Sequence, residues 1–449
     1  MKIIIAGAGE VGFHLAKLLS FESQNITLID PDVESLNYAN THLDIKVLKG
    51  DATSISILKE AQVETSDLVI GVTASQATNI TLCLLAKQLG CKRTIARISN
   101  TEYIHNKELV GFEKLGIDEL ISPEMLASQE IQLLLDESAF NDTYEFEGGA
   151  LIMVGTTLQK TAPFVGKTIQ EAASIFPELH FQPIAIQRFG TQYTIIPRGD
   201  VEFKEGDQAY FVTLPEGVDH LYQLTGQVRK KIKNVMILGG SQVGYKTALN
   251  LCQSKFRVKL VEKDRVRAEN LADLLPNALV INGDGRSLEL LEEEDLSSMD
   301  AFIAVTENAE TNIMSCLMAK SKNINKTIAL VENMDYFQLS HSIGIDTLIN
   351  KKLLAANNIS RHIREGEVVA LTNLNNLNAE LLEFVVKPSC AAAGKAIKDL
   401  DFPRTATIGG VIRDGEGIIA LGDFVIQTGD RIVVCCLPDA IAKVEKFFK

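Results

Sequence analysis

Short apolar runs alternate with stretches of helical spacing from the first residues of the chain onward. Lys2–Ala6 reads as a buried strand, and Val11–Leu19 has the periodicity of a helix with one apolar face. Asn25–Asp30 then predicts strand, Val33–Asn40 helix, Ile45–Leu48 strand and Ile55–Glu60 helix. Leu68–Thr73, Asn79–Leu89 and Arg93–Ile98 continue as strand, helix and strand, and a last strand falls near Glu119–Ile121. Strand and helix alternating at this spacing mean a parallel, doubly wound sheet. Ser122-Pro123-Glu124 supplies an N-cap, a first-turn proline and an acidic first turn for a helix leaving that sheet.

From about Tyr144 to Thr225 the pattern changes to short strands divided by turns: Leu151–Gly155, Ile184–Phe189, Tyr193–Pro197 and Gln208–Leu214. That predicts a small α+β lobe. The same change recurs from Glu383 onward, with Arg431–Leu437 as the last strand.

The recurrence is a duplication. Gly7, Gly9 and Gly12 match Gly239, Ser241 and Gly244 at a separation of 232, and Asp30 matches Glu262 at the same separation. Gly50-Asp51, Asp67, Thr73 and Asn79 match Gly283-Asp284, Asp300, Thr306 and Asn312 at 233. The separation falls to 228 for Gly166-Lys167 with Gly394-Lys395, and to 223 for Gly206-Asp207 with Gly429-Asp430. Small steps of this kind are what loop insertions leave behind, so two copies of one two-lobed unit fill the 449 residues. The expected fold class is α/β: a doubly wound lobe followed by a small α+β lobe, in tandem. Boundaries are expected at 1–122 and 123–225 for the first copy and at 233–350 and 351–449 for the second. Each small lobe takes with it the helix that leaves the preceding sheet. The basic run Arg229-Lys230-Lys231-Ile232-Lys233 reads as the solvated link between copies, with a partner-docking patch as the sharper alternative.

Composition narrows the partners. Hydrophobic residues are 46% of the chain and charged residues 23%, which is globular composition. Lys+Arg of 44 against Asp+Glu of 58 leaves a net charge of −14, which repels phosphodiester backbones and anionic lipid over any broad surface. A local basic pocket for one nucleotide is compatible with that charge. The 7 cysteines include no CxxC and the 7 histidines no HExxH, so neither a disulfide framework nor a metal site is expected. Met1–Ala6 runs into a turn at Gly7 before reaching the ~7–15 apolar residues of a secretory signal. No run approaches the ~18 apolar residues that cross a bilayer. A soluble protein of the reducing cytoplasm is expected.

Gly7-Ala8-Gly9-Glu10-Val11-Gly12 is G-x-G-x-x-G set between a strand and a helix. In that setting Gly7 permits the tight turn, Gly9 lets the main chain approach a diphosphate, and Gly12 lets the helix pack close to the sheet. Asp30 ends the second strand, where a carboxylate accepts both ribose hydroxyls and repels a 2′-phosphate. NAD(H) fits that arrangement, and so does any adenosine nucleotide with a free ribose. Ligands of such sheets sit beyond the carboxyl ends of the strands. Asp51 and Ala52 then border the adenine, Thr73 and Ala74 follow the fourth strand, and Arg97 is the cation for a phosphate.

The second copy departs from this set. Ser241 replaces the middle glycine, Glu262 the aspartate, and Leu330 stands at the position of Arg97. A Cβ where the diphosphate approaches and the lost cation both weaken anion binding, while Glu262 is long enough to reach ribose. A bound nucleotide and a purely structural copy both remain open for this cleft, with Asp284 at its border.

Other motifs are set aside. Gly166-Lys167-Thr168 lacks the first P-loop glycine, since Thr161 stands there, and its counterpart Gly394-Lys395-Ala396 loses the hydroxyl. Tyr103-x-x-x-Lys107 has the spacing of a short-chain dehydrogenase pair but follows the fifth strand directly, with Gly90 in place of the serine. Glu292-Glu293-Glu294-Asp295 reads as a solvated helix end without the alternating ligand spacing of a cation loop. Cys435 and Cys436, adjacent in a strand, read as core packing on opposite faces.

Taken together these residues resemble the TrkA family, the cytoplasmic regulatory subunits of Trk-type potassium uptake systems. Their repeating unit is the RCK module, a Rossmann-like lobe with a small C-terminal lobe. The resemblance covers the full length and is carried by Lys2–Gly12, Ile26–Asp30, Leu120–Glu124, Phe302–Met314, Ile363–Ala370 and Val444-Glu445-Lys446. It implies NAD(H), and adenine nucleotides such as ATP or ADP, in the Rossmann clefts. It also implies a ring, a homotetramer of the tandem chain, beneath a membrane-embedded potassium-translocating subunit. The chain would then be peripheral on the inner face of the cell membrane through that partner, with no insertion of its own. Carried over by position, the nucleotide contacts fall on Gly7, Ala8, Gly9, Glu10, Val11, Asp30, Thr73, Ala74 and Arg97. In the second cleft they fall on Gly239, Gly240, Ser241, Gln242, Val243 and Glu262; the family often has glycine at the position of Ser241.

The function expected is nucleotide-gated regulation without catalysis. The alternative, an NAD-dependent oxidoreductase, needs a substrate domain with a proton-handling residue near the nicotinamide. Only about 80–100 residues of small-lobe pattern follow each Rossmann-like lobe, and they hold no acid–base constellation.

Overall fold

Ile3, Ile4 and Ile5 are wholly buried, which is what a central parallel strand covered on both faces requires. The computed structural model describes the chain except residues 21–24, 137–139, 141, 176–180, 189–190, 192, 227–231, 334–335, 337–343, 364–367, 374–376, 378 and 449. Arg229, Lys230 and Lys231 of the basic link thus lie outside the described residues; the Lys233 N–H donates to Asp300 Oδ2 at 2.9 Å.

The first lobe runs β1 (Lys2–Ala6), α1 (Glu10–Ser20), β2 (Asn25–Asp30), α2 (Val33–His42), β3 (Lys46–Lys49), α3 (Ile55–Glu60), β4 (Leu68–Gly71), α4 (Gln76–Gln88) and β5 (Arg93–Arg97). Three short helices, α5 (Glu102–His105), α6 (Lys107–Val110) and α7 (Phe112–Leu115), precede β6 (Glu119–Ile121) and the departing helix α8 (Pro123–Asp136). The sheet order is β3-β2-β1-β4-β5-β6, all parallel. Strand order reverses between β1 and β4, which opens a crevice at their carboxyl ends. Alternation along β1 feeds two cores. Ile3 and Ile5 pack with Leu15, Ala16 and Leu19 of α1, and Ile4 packs with Leu58, Leu82 and Ala86 of α3 and α4.

The small lobe that follows holds β7 (Asp142–Phe146), β8 (Leu151–Thr157), α9 (Ile169–Ile175), β9 (Phe181–Gln187), β10 (Thr194–Ile195), β11 (Gln208–Thr213) and α10 (Val218–Leu224), with antiparallel order β10-β9-β11-β8-β7.

The second copy repeats both parts. Its Rossmann-like lobe has β12 (Asn234–Leu238), α11 (Gln242–Gln253), β13 (Arg257–Glu262), α12 (Arg265–Leu274), β14 (Ala278–Asn282), α13 (Leu288–Glu293), β15 (Ala301–Ala304), α14 (Ala309–Ser321), β16 (Lys326–Leu330) and β17 (Thr347–Ile349). The order is again β14-β13-β12-β15-β16-β17. Helix α15 (Lys351–Ile363) leads to β18 (Val368–Asn373), β19 (Glu380–Val385), β20 (Ala406–Arg413), β21 (Glu416–Ile418), β22 (Arg431–Cys436) and α16 (Ile441–Phe448). The antiparallel order there is β18-β19-β22-β20-β21. Matching caps mark the duplication at atomic level: Asp32 and Asp264 cap α2 and α12, and Ser75 and Asn308 cap α4 and α14.

The chain divides into two compact units that do not follow the two copies. One holds Met1–Gln129 with Tyr245–Thr247 and Ile349–Ile363; the other holds Glu130–Gly244, Ala248–Leu348 and Arg364–Lys449. Within the first, α15 lies on α1, where Ala355, Ala356 and Ile359 join the core of Leu15, Ala16 and Leu19. Alanines let the two helix backbones approach, and the fully buried Ile359 contributes about 1.5–3 kcal/mol to the contact. Within the second unit the two small-lobe sheets share a core. Phe146, Leu151, Ile184 and Val212 pack with Leu381, Ile412, Val433 and Cys435, while Cys436 points into the opposite cluster with Phe384 and Phe448. Gly417 permits the approach: a Cβ there would stand 2.0 Å from the Ala150 carbonyl oxygen.

Candidate functional site

β1 ends in a turn that only glycine tolerates at its first position. Gly7 has φ +109°, and a Cβ on it would press on Val72 and Thr73 at 3.0 Å. Its N–H donates to Ile29 O at 2.9 Å, which ties the turn to β2. A Cβ on Gly12 would sit 1.8 Å from Gly7 O, so this glycine sets how closely α1 approaches the sheet. Gly9 is different: a Cβ there meets nothing within 4 Å. The space above it is open, and the amino end of α1 behind it presents unshared N–H groups and partial positive charge.

Asp30 closes the second side. Its Oδ2 accepts from the Ala8 N–H at 2.6 Å and its Oδ1 from the Asp32 N–H at 2.8 Å. An ionised carboxylate has about four lone-pair sites, so these two bonds orient the group and leave acceptors for ribose hydroxyls. Asp51 accepts from the N–H and hydroxyl of Thr53, both at 2.8 Å, which holds its pKa below the usual carboxylate value. Ala52 is buried beneath the β3 end, Ala74 is exposed, and Val11 is buried in α1.

A residue that sequence reasoning gave no role organises the far rim. Asn79, wholly buried on α4, accepts from the Thr73 N–H at 2.9 Å and the Thr73 hydroxyl at 2.7 Å. Its amide donates to Thr73 O at 3.1 Å and Arg97 O at 2.9 Å, fixing the ends of β4 and β5 together. The signal was its repetition as Asn312, which bonds Thr306 and Leu330 O in the same pattern. The Arg97 guanidinium stands 4.0 Å from the buried Glu124 carboxylate at the start of α8. Lys246 also faces that carboxylate and donates to Ser99 O at 3.1 Å and Ser122 Oγ at 3.4 Å; burial lowers its pKa while Glu124 opposes the shift. Arg97 is therefore one of two cations around one acid, a setting the β5 sequence does not reveal.

The second cleft keeps the scaffold and changes its furniture. Gly239 has φ +103°, and a Cβ on Gly244 would lie 2.0 Å from Gly239 O. Glu262, buried, accepts from the Gly240 N–H and the Asp264 N–H, both at 2.8 Å, reproducing the Asp30 pattern. Ser241 does what Gly9 lacks the atoms to do: its hydroxyl donates to Val305 O at 2.6 Å and accepts from the Gly244 N–H at 3.3 Å. The amino end of α11 is thus capped by its own chain, with Gln242 exposed and Val243 buried behind it. An open cleft runs from Gly239 and Ser241 past Glu262 to Asp284 and Thr306. Lys263, Arg267 and Arg286 also line it, three cations that no local motif marks in the sequence and that stand away from Leu330, the position matching Arg97.

The motifs set aside have structural partners. Gly166 and Gly394 occupy turns at φ +79° and +77°. The Tyr103 ring packs on Phe112 and Lys107 pairs with Glu119. The acidic run is met by Lys259 and Lys322. All seven cysteines are free thiols, and burial pushes that of Cys83 up to about 12. Among the described residues no group of acids, histidines and cysteines is placed to hold a metal ion. No helix among them is long and apolar enough to cross a membrane.

Known proteins match this chain in the same tandem arrangement. The profile of the TrkA-N domain matches residues 3–123 and 235–351, and that of the TrkA-C domain matches 153–226 and 381–449. The Trk system potassium uptake protein TrkA of Halomonas elongata is 32% identical over 454 residues, covering 100% of this chain and 99% of the relative. The TrkA protein of Haemophilus influenzae is 32% identical over 456 residues with the same coverage. Among solved structures, the GsuK RCK domain superposes with a TM-score of 0.61 at 16% identity, covering 99% of this chain and 94% of that one. The GsuK channel bound to NAD gives a TM-score of 0.61 at 16% identity, covering 99% of this chain and 78% of that one. With domain matches across both copies and end-to-end identity to Trk potassium uptake proteins, the chain belongs to the TrkA family and carries its tandem RCK architecture.

Proposed function

We propose that this chain is a nucleotide-sensing subunit that regulates a membrane-embedded potassium-translocating partner. The observation that carries the reading is the first cleft: an open position at Gly9, the uncapped start of α1 behind it, and the oriented carboxylate of Asp30 beside it. Those three features select a diphosphate joined to an adenosine with free ribose hydroxyls, and NAD(H) or ADP and ATP have that form. Channels of the same fold bound to NAD and to ADP support it. Gly7 to Val11, Asp30, Thr73, Ala74 and Arg97 are the proposed contacts, with Asp51 and Ala52 at the adenine and Gly239 to Val243, Glu262 and Asp284 in the second cleft.

Regulation follows from how the first cleft is built. Its floor is α1, and α15 of the second copy packs on that helix. A ligand that prefers one placement of α1 shifts α15 with it, by as much as its affinities for the two arrangements differ; ~1–3 kcal/mol is the usual scale. Domains divided at 122, 225 and 350 would then move as levers in a homotetrameric ring on the cytoplasmic face of the membrane. No catalytic step is needed.

The deciding experiment titrates the full chain with NADH, followed by nicotinamide fluorescence and absorbance, and then measures potassium flux in vesicles holding the Trk membrane subunit. Saturable binding without cofactor consumption, together with nucleotide-dependent flux, is expected. Steady oxidation of NADH would make the protein an oxidoreductase and overturn the proposal.

A further inference from the structure

The two clefts of this chain differ in where their cations stand, and the difference selects a different part of the ligand. In the first, Arg97 lies at the end of β5 and Lys49 at the end of β3, while Pro31 follows β2, Ser35 lies in the first turn of α2 and Thr53 in the loop after β3. In the second, Leu330 replaces Arg97, and Lys263, Arg267 and Arg286 stand at the positions of Pro31, Ser35 and Thr53. The second cleft thus lacks the cation at the β5 end and gains three around the end of β13 and the loop after β14.

The diphosphate end of the second cleft is closed in a further way. Ser241 puts a Cβ and a hydroxyl where Gly9 leaves open space, and that hydroxyl takes up the Gly244 N–H of the α11 amino end. An incoming phosphate would have to displace a cap. At the base end, by contrast, a flat cation is already oriented. Arg286 donates from Nε to Asp284 Oδ1 and Oδ2 at 3.0 and 3.1 Å and from Nη2 to Oδ2 at 2.6 Å. In the first cleft Asp51 holds only the small Thr53 in that place.

Resting on the reading of both clefts as nucleotide sites, we propose that Arg286 is the adenine-stacking residue of the second cleft. It makes that cleft a site for the adenosine end of a nucleotide, with AMP sufficient as ligand, whereas the first cleft requires a diphosphate. A guanidinium whose edge is bonded to a carboxylate keeps both faces free, and a purine lies on such a face through cation–π and stacking attraction. Glu262 at the neighbouring strand end supplies the ribose acceptor, and its carboxylate argues against a ribose phosphate as the group these cations await.

The test uses the full chain carrying Gly9→Asp. The new Cβ meets nothing, so the fold is kept, and the carboxylate bars a diphosphate from the first cleft. This protein is titrated with AMP and ADP by calorimetry and with 1,N6-etheno-AMP by fluorescence, then again with Arg286→Ala and Arg286→Lys. We expect one AMP site per chain, ADP bound within about threefold of AMP, and a stacking-induced change in etheno fluorescence. Arg286→Ala should weaken AMP about five- to thirtyfold, on the scale of a desolvated cation–π contact. Arg286→Lys keeps the charge, lacks the plane, and should weaken binding nearly as much. Full affinity with lysine, or none lost with alanine, would overturn the stacking role while leaving the cleft a nucleotide site. Absence of any AMP binding in the Gly9→Asp chain would overturn both.

Discussion

Lys352 Nζ donates to Glu10 Oε2 at 2.7 Å, so the first residue of α1 is tied to the first turn of α15 from the other copy. Glu10 places negative charge beside the position proposed for a diphosphate, and Lys352 offsets it. The pair is half exposed and contributes little to stability, within about 1 kcal/mol. Its effect should be read in ligand binding. Lys352→Ala is expected to weaken NADH about two- to fivefold with little change in the unfolding midpoint. Adding Glu10→Gln should restore affinity, because no charge then remains to be offset. Calorimetry on the single and double variants checks this, and additive losses would show that the pair is not coupled to the cleft.

The glycines of the first turn have separable roles. Gly9→Ala should fold normally, since its Cβ meets nothing within 4 Å, yet bind NADH at least about tenfold more weakly because the methyl stands where the diphosphate approaches. Gly12→Ala should fail earlier: its Cβ would be 1.8 Å from Gly7 O, and the lobe must shift to hold it. Thermal unfolding and NADH titration of both variants distinguish a lost ligand from a lost fold. Equal affinity of Gly9→Ala and the parent chain would remove the diphosphate from this turn.

Much of this architecture was legible because local physics dictates it. The sequence predicts Lys2–Ala6, Ile55–Glu60 and Glu119–Ile121 with the bounds the structure gives, since β-branched runs, a serine before the helix and flanking turns leave few alternatives. The glycine turn and the acid at the β2 end were legible for the same reason. Asn79, Lys246 and Arg286 were not. A buried asparagine on a helix carries no local mark of the strand ends it joins, and Lys246 meets Ser99, Ser122 and Glu124 across more than a hundred residues of chain. The periodicity of Lys351–Ile363 showed that it has an apolar face without saying that α1 would cover it. Arg286 matches Thr53 when the copies are aligned, but it lies outside the glycine turn and the β5 end, where the motif concentrates its signal.

Asn79 makes a sharper demand on stability than any exposed charge. Its four hydrogen bonds lie in the interior, and Asn79→Ala leaves the Thr73 N–H and the Arg97 carbonyl without that partner. A cost of about 2–4 kcal/mol is expected from those groups together. NADH affinity should fall as well, because Thr73 and Arg97 lose their fixed spacing. Asn79→Asp keeps the acceptor and removes the donor, so it should keep Thr73 in place and free Arg97. Denaturant midpoints and NADH titrations of the two variants check the division. Identical behaviour of alanine and aspartate would mean that the bonds donated to Thr73 O and Arg97 O carry the whole effect.

His14, on α1 directly behind the glycine turn, gives the first unit a pH dependence of definite sign. Burial, with the Lys17 charge adding to it, holds its pKa down to about 4, and its Nε2 is buried without a hydrogen-bond partner among the described residues. The unfolded chain titrates near the ordinary value of about 6.5. Between these two values the unfolded state binds a proton that the folded state refuses, so stability falls as pH drops through that window. At pH 5 the loss is about 2 kcal/mol relative to pH 7 and above. His14→Leu removes the titrating group and the unpaired nitrogen together. Its urea midpoint should match or exceed the parent's at pH 7 and should lose less on acidification to pH 5. Parallel pH slopes in parent and variant would show that His14 is not the group that refuses the proton, and that the acid sensitivity of this unit lies elsewhere.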